Sequence, residues 1–196
     1  METDARGECD LMSASEGKAG RRGLFLVYTG DGKGKTTASL GVTLRAIGRG
    51  MNVRILQFIK SPERTYGEAL ALKRLGVEME QLGIGFTWTK TPEEHRAALE
   101  RAWQIAKEAL ADPALDLLVL DELNNALAIS KFPIDDVLPL AEVVEAIRNR
   151  PAHMHLVVTG RSANEELLAL SDLISTIEPT KHYYEEGIGA VKGLEF

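Results

Sequence analysis

The chain has 196 residues, of which 44% are hydrophobic and 27% charged, values typical of one folded domain with a buried core. Its formal net charge of −6 argues against a general binder of nucleic acid or of anionic membranes, because such partners require a basic surface. Cys9 is the only cysteine, which excludes an intramolecular disulfide and a cysteine-based zinc site.

The sequence shows no segment that would direct the chain into or across a membrane. No apolar stretch approaches the roughly 18 residues needed to span a bilayer. The N-terminus lacks the basic and then apolar pattern of a secretion signal. We therefore expect a cytoplasmic protein.

The N-terminal tail, residues 1–22, is rich in charged residues, serine and glycine and contains few apolar residues. We expect this tail to be disordered when nothing is bound, with a lid over a neighbouring site as the alternative. The rest of the chain, residues 23–196, is then the folded domain.

A glycine-rich stretch follows the first apolar run, and it reads Tyr28-Thr29-Gly30-Asp31-Gly32-Lys33-Gly34-Lys35-Thr36-Thr37. The residues before it predict a strand over Gly23–Thr29, and those after it predict a helix over Lys35–Arg49. Strand, glycine-rich turn and helix are the setting of a phosphate-binding loop, in which backbone N–H groups and the helix N-terminus attract an anion. We therefore predict a nucleoside triphosphate site, with Lys35 on phosphate oxygens and the Thr36 hydroxyl on Mg²⁺.

The remaining chain alternates between strand and helix patterns. The predicted strands are Asn52–Phe58, Val77–Leu82, Leu117–Leu120, Leu156–Thr159 and Leu173–Glu178. The predicted helices are Gly67–Leu75, Pro92–Leu110 with Thr91 as its cap, Asn124–Ile129, Ile134–Asn149 and Asn164–Ala169. The second of them carries an apolar stripe of Leu99, Trp103, Ala106 and Leu110. The last segment, Lys181–Phe196, has no clear pattern. Alternating strands and helices predict a single α/β domain with a parallel sheet and helices on both faces.

Two carboxylates, Asp121 and Glu122, directly follow the most apolar strand. Ligands of parallel sheets bind at the carboxyl ends of the strands, where the glycine-rich loop and Arg161 would also lie. Asp121 or Glu122 is expected to join Thr36 at Mg²⁺, and the sequence leaves open which one. Arg161 is expected to pair with phosphate or with a carboxylate of another ligand, and an ion pair on the protein surface is the alternative. The predicted nucleotide contacts are Thr29, Gly30, Asp31, Gly32, Lys33, Gly34, Lys35, Thr36, Thr37, Lys60 and Arg161.

The connection 83–88 is unusual because it combines two glycines with two large aromatic residues, Phe86 and Trp88. Such a combination suits a flat, apolar ligand surface. Core packing is the alternative, and it is the one that composition alone favours.

Further segments stand in a recognisable order along the chain. They are Gln57-Phe58-Ile59-Lys60, Gly85-Phe86-Thr87-Trp88, Val119-Leu120-Asp121-Glu122-Leu123, Thr159-Gly160-Arg161, Lys181-His182 and Gly187-Ile188…Lys192-Gly193. Together with the glycine-rich stretch, they make the chain from about Gly23 to Phe196 resemble the ATP:corrinoid adenosyltransferases of the CobA/CobO/BtuR family. That family shares the departure from the strict loop pattern at Thr29. Many of its members carry Asn where this chain has Asp31, whose carboxylate we expect to point outward or to cap the turn.

The resemblance implies a P-loop NTPase-like (RecA-like) sheet and a particular reaction. Cobalt(I) of a corrinoid, either cobalamin or cobyrinic acid a,c-diamide, attacks the 5′ carbon of ATP and inorganic triphosphate leaves. The reaction belongs to adenosylcobalamin biosynthesis or salvage. The resemblance assigns catalytic roles to Lys35, Thr36 and Glu122 and corrinoid contacts to Phe86 and Trp88. It also implies a homodimer and a reduced flavoprotein as electron donor.

Two other classes of function remain open at this point. A P-loop NTPase or kinase would cleave at the γ-phosphate and release orthophosphate or ADP. A nucleotide-regulated binding module would bind its ligands without turnover. A cobalt(I) nucleophile needs no general base, and the sequence exposes no obvious one.

Overall fold

The computed structural model of the chain describes residues 22–63, 65–77, 79–85 and 90–196. Strands β1 to β6 are Phe25–Thr29, Val53–Gln57, Met79–Gln81, Leu117–Asp121, His155–Thr159 and Leu173–Thr176. Helices α1 to α6 are Lys35–Gly48, Gly67–Arg74, Pro92–Ala111, Leu123–Leu127, Leu140–Asn149 and Glu165–Leu170, and a 3-10 turn covers Tyr183–Glu186. Of the tail predicted over residues 1–22, all but Arg22 lies outside the described residues.

The six strands form one sheet in the order β3-β2-β4-β5-β1-β6, and every neighbouring pair is parallel. Strand β4 lies near the middle, where Val119 is in register with Ile55 of β2 and Val157 of β5. Strand β5 separates β1 from β4, so the chain segments that follow these three strands leave the sheet side by side. The predicted α/β fold with a parallel sheet is confirmed.

Both faces of the sheet are covered by helices. Leu118 and Leu120 of β4 belong to a buried cluster that includes residues of α3, α5 and α6, among them Trp103. Leu117 and Val119 belong to a second cluster with residues of α1 and α2. Since successive strand residues point to opposite faces, this division explains why β4 is apolar throughout.

Helix α3 begins as its sequence predicts. The Thr91 hydroxyl accepts from the Glu94 amide at 3.3 Å, and the Glu94 carboxylate accepts from the Thr91 amide at 2.8 Å, which is a capping box. The predicted apolar stripe of α3 is buried and consists of Leu99, Trp103, Ala106 and Leu110.

The helix predicted over Ile134–Asn149 is wrong in its first turn and a half, because α5 begins at Leu140. Ile134 accepts backbone hydrogen bonds from Val137 and Leu138, which form a separate turn. Pro139 then cannot donate to the turn before it, and its ring disfavours a helical conformation of Leu138. Ile134 and Leu138 are nevertheless buried, which is why their spacing resembled a helix.

Among the described residues, no helix is both long and apolar enough to cross a bilayer.

Candidate nucleotide-binding site

A cavity of about 600 Å³ opens at the carboxyl ends of the strands. It brings together the glycine-rich loop after β1, Lys60 after β2, Glu122 after β4 and Arg161 after β5. Of the predicted nucleotide contacts, Thr29 and Gly30 do not line this cavity. The predicted residues that line it are Asp31, Gly32, Lys33, Gly34, Lys35, Thr36, Thr37, Lys60, Glu122 and Arg161.

Two glycines of the loop are required by the segment that follows β6. A Cβ at Gly30, whose φ is +92°, would lie 2.5 Å from the carbonyl oxygen of Ile177, and a Cβ at Gly32 would lie 2.7 Å from the carbonyl carbon of Glu178. The Gly32 amide also donates to Ile177 O at 2.7 Å. Gly34 differs, since no atom is near its Cβ position and its φ of +120° alone favours glycine. The loop is therefore fixed on one side by the protein and open on the other.

Lys35 opens helix α1 and folds back over the loop. Its Nζ donates to the carbonyl oxygens of Gly30 and Gly32, both at 2.6 Å. Burial and, after it, the charge of Arg161 lower the pKa of Lys35 from its ordinary value. Among the described residues that line the cavity, Lys35 is the cation with no carboxylate within ion-pair distance. Its charge is therefore the one most available to an anionic ligand.

The other three cations of the cavity have carboxylate partners. Lys60 Nζ lies 2.9 Å from Glu68 Oε1, Lys33 Nζ lies 3.1 Å from Glu195 Oε2 and Arg161 Nε lies 3.7 Å from Asp31 Oδ1. The Asp31 side chain is 80% exposed, which agrees with the prediction that it points outward. Arg161 thus forms the surface ion pair that the sequence offered as the alternative. It also lines the cavity, and its contact with phosphate stays a prediction.

Asp121 and Glu122, which the sequence did not distinguish, have different surroundings. Asp121 is 1% exposed, and its two oxygens accept from the Thr159 hydroxyl at 2.7 Å and the Gln57 amide at 2.8 Å. Glu122 has a left-handed backbone with φ 63° and extends its side chain into the cavity. Its Oε2 is buried and has no hydrogen-bond partner among the described residues. Glu122 is therefore the carboxylate that is available to a ligand.

The surroundings of Glu122 suit a cation. Burial and, after it, the charge of Asp121 raise the pKa of Glu122 to about 7. The described residues contain no cluster of three or more His, Cys, Asp or Glu side chains that could hold a metal ion by themselves. A magnesium ion at this carboxylate would therefore share its ligands with Thr36, a bound nucleotide and water, as Mg²⁺ usually does.

The C-terminal segment, for which no helix or strand was predicted, forms one wall of the cavity. His182 and residues 193–196 line it, and Glu195 holds Lys33 of the loop. The Tyr183 hydroxyl donates to the other oxygen of Glu195. Contacts between residues so far apart in the chain leave no local pattern, so the sequence signal for this segment was the resemblance, through Lys181-His182 and Lys192-Gly193. Asn125 also lines the cavity and was not predicted. Its Oδ1 accepts a hydrogen bond from the Arg161 amide at 2.6 Å, a contact between distant parts of the chain that a local pattern does not reveal.

Comparison with known proteins identifies the family. The family model described as ATP:corrinoid adenosyltransferase BtuR/CobO/CobP matches residues 21–196. The chain is 43% identical to the corrinoid adenosyltransferase CobA of Salmonella typhimurium over 89% of this chain and 86% of that protein. It is 42% identical to the corrinoid adenosyltransferase of Escherichia coli strain K12, again over 89% and 86%, and 41% identical to that of Pseudomonas aeruginosa over 89% and 84%. The chain belongs to the ATP:corrinoid adenosyltransferase family.

Membership of this family makes the chain an enzyme that adenosylates corrinoids with ATP, and the predicted resemblance is confirmed. The predicted corrinoid contacts, Phe86 and Trp88, lie outside the described residues. The described segment before them is fixed beside the cavity, because the amides of Gly83 and Gly85 donate to the carbonyl oxygens of Lys60 and Ile59, both at 3.1 Å. A Cβ at Gly83 would lie 2.2 Å from Ile59 O, so only glycine permits this approach.

Proposed function

We propose that the 600 Å³ cavity binds MgATP and that cobalt(I) of a corrinoid attacks the 5′ carbon of the nucleotide. The cobalt electron pair forms the cobalt–carbon bond, the C5′–O bond breaks, and its electron pair leaves on inorganic triphosphate. The observation that carries this proposal is one cavity that joins a glycine-rich loop, the unpaired cation Lys35 and the unpartnered carboxylate oxygen of Glu122.

The triphosphate is the part of the substrate that this cavity is built to bind. Loop amides at the N-terminus of the 14-residue helix α1 provide donors and a positive electrostatic field. Lys35 Nζ, now 2.6 Å from two loop carbonyls, is within reach of a phosphate oxygen bound over the loop. Both groups stabilise the charge that develops on the leaving triphosphate, so they act on the transition state.

The charges that line the cavity support a role for Mg²⁺. Four cations, Lys33, Lys35, Lys60 and Arg161, are balanced by four carboxylates, Asp31, Glu68, Glu122 and Glu195. A bound Mg²⁺ ion would offset part of the negative charge that a triphosphate brings to this cavity. The Thr36 hydroxyl and Glu122 would hold the ion, directly or through its water, and the bound ion would neutralise the leaving group. Asp121 is less suited, since both of its oxygens already accept hydrogen bonds.

The corrinoid-binding part of the proposed site is inferred from the family resemblance. Phe86 and Trp88 would line the corrinoid face, and apolar groups there would keep an axial ligand off the cobalt and so favour its reduction to cobalt(I). The proposal also includes a cytoplasmic homodimer that receives electrons from a reduced flavoprotein. The family resemblance supports these statements, and the choice between cobalamin and cobyrinic acid a,c-diamide is left to experiment.

The proposal is tested by an anaerobic assay with MgATP and chemically reduced cob(I)alamin, in which the corrinoid spectrum is followed. We expect adenosylcobalamin to form, and we expect Lys35→Ala to slow its formation at least about 100-fold, as removal of a donor to developing charge does. Lys73→Ala, which removes an exposed lysine of α2, is the control and should react normally. Near-normal turnover of Lys35→Ala would contradict the assignment of the loop.

A further inference from the structure

Three buried polar side chains lie side by side at the carboxyl ends of β2, β4 and β5. Gln57 and Thr159 are fully buried and Asp121 is 1% exposed. Gln57 and Asp121 are in register across the sheet, and the Gln57 amide donates to Asp121 Oδ2 at 2.8 Å. The Thr159 hydroxyl donates to Asp121 Oδ1 at 2.7 Å. These residues do not line the cavity, so any effect they have on a ligand must pass through another residue.

The Thr159 hydroxyl links this network to Glu122. Its single hydrogen is directed at Asp121, so its oxygen is left as an acceptor, and it accepts from the Glu122 amide at 2.9 Å. Glu122 has φ 63° and ψ 17°, a left-handed conformation that a side chain with a Cβ rarely adopts without support. The conformation directs the residue away from the path of β4 and places its side chain in the cavity.

The buried network carries a desolvation cost that apolar side chains would avoid. A carboxylate, an amide and a hydroxyl are removed from water together, and Gln57 Oε1 has no hydrogen-bond partner among the described residues. An apolar side chain at position 57 would avoid that unsatisfied atom. Gln57 and Asp121 instead fix the direction of the Thr159 hydroxyl.

We propose that Thr159, oriented by Asp121 and Gln57, is a positioning residue that holds the Glu122 backbone in its left-handed conformation and so directs the Glu122 carboxylate to the metal of MgATP. The inference rests on the proposed role of Glu122 at the metal. It assigns Asp121 to the support of that carboxylate and not to the metal itself, because both Asp121 oxygens are occupied.

The test compares Thr159→Val, which keeps the shape but removes the hydroxyl, with Thr159→Ser, which keeps the hydroxyl. Binding of Mn²⁺–ATP and of metal-free ATP is measured for each, together with thermal unfolding. We expect Thr159→Val to bind Mn²⁺–ATP about tenfold more weakly, the lower end of the loss seen when a partner that orients a metal ligand is removed. Metal-free ATP should bind within about twofold of the native protein, and Thr159→Ser should restore Mn²⁺–ATP binding.

A second variant covers the case in which Thr159→Val does not fold. Gln57→Met removes one donor to Asp121 at nearly constant volume, and it should weaken Mn²⁺–ATP binding selectively but less than Thr159→Val. Native Mn²⁺–ATP affinity in the variant that folds would overturn the inference. Equal losses for Mn²⁺–ATP and metal-free ATP without rescue by serine would also overturn it, since they indicate a merely structural role.

The outcome is separable from that of the proposed function. Suppose that the native protein forms no adenosylcobalamin, but that Thr159→Val binds Mn²⁺–ATP more weakly and Thr159→Ser binds it normally. The positioning role then stands and the proposed reaction falls. If adenosylcobalamin forms and the two Thr159 variants bind Mn²⁺–ATP equally well, the reaction stands and the positioning role falls.

Discussion

Glu122 combines a left-handed backbone with a buried carboxylate oxygen that has no hydrogen-bond partner among the described residues. Burial and the neighbouring charge of Asp121 both oppose ionisation, while Lys60, Arg161 and Lys35 favour it more weakly. A carboxylate in this state gains most from a cation, because ionisation and metal binding then support each other. Ionised Glu122 is therefore expected to lower the free energy of unfolding when the site holds no ligand.

The first prediction concerns this reduction. The folded pKa of Glu122 is raised from 4.5 to about 7, so between these values the folded state binds more protons than the unfolded state. Stability of the ligand-free protein should therefore fall by up to about 3 kcal/mol as pH rises through this window. Glu122→Gln does not titrate and should unfold at a higher urea concentration than the native protein at pH 8, with the difference vanishing near pH 4.5. The exposed Glu185→Gln is the control, and an equal difference at both pH values would refute the assignment.

The second prediction concerns Trp88. If this side chain keeps an axial ligand off the cobalt, Trp88→Ala should slow the reaction that starts from cob(II)alamin with a reductant more than the reaction of pre-reduced cob(I)alamin. Both rates are measured anaerobically with the same MgATP concentration. Equal losses in the two assays would show that Trp88 does not act on cobalt reduction.

At the scale of elements, the sequence was sufficient to predict helices and strands wherever the pattern involves residues close together in the chain. The apolar run that became β4, the helix cap at Thr91 and the stripe of α3 were predicted, because each depends on residues that are close together in the chain. The start of α5 was misplaced because burial of Ile134 and Leu138 imitates helical spacing, and Pro139 decided the outcome.

The candidate site was predicted less completely than the fold. Adjacent carboxylates such as Asp121 and Glu122 look alike in a sequence, and the hydrogen bonds of Gln57 and Thr159 to Asp121 are what separate them. The C-terminal wall includes the ion pair of Lys33 with Glu195, two residues that lie far apart in the sequence. Such contacts arise from the sheet topology and not from any local repeat.

The third prediction concerns that wall. Glu195 holds both Lys33 and Tyr183, so Glu195→Gln should loosen residues 193–196 and raise the KM for ATP about threefold with little change in kcat. The effect is expected to be small because the Lys33 side chain is 41% exposed and ion pairs of this kind contribute little. Glu185→Gln, in the same segment, is the control. An unchanged or lower KM for ATP would contradict the role of the segment as a wall of the site.

At the scale of the molecule, the strand order decides what the cavity contains. Because β5 lies between β1 and β4, the glycine-rich loop, Arg161 and Glu122 emerge as neighbours. The formal charges of the lining residues cancel although the chain carries −6 overall, and a magnesium–triphosphate complex brings less negative charge to this site than a free polyanion does.

The central claim is that the reaction breaks the C5′–O bond of ATP, and isotope labelling tests it most directly. ATP with ¹⁸O at the 5′ bridging position is converted anaerobically with cob(I)alamin, and the phosphate products are identified by mass. The account predicts adenosylcobalamin without the label and inorganic triphosphate that carries it. Orthophosphate together with ADP that retains the label would show cleavage at the γ-phosphate and would contradict the account.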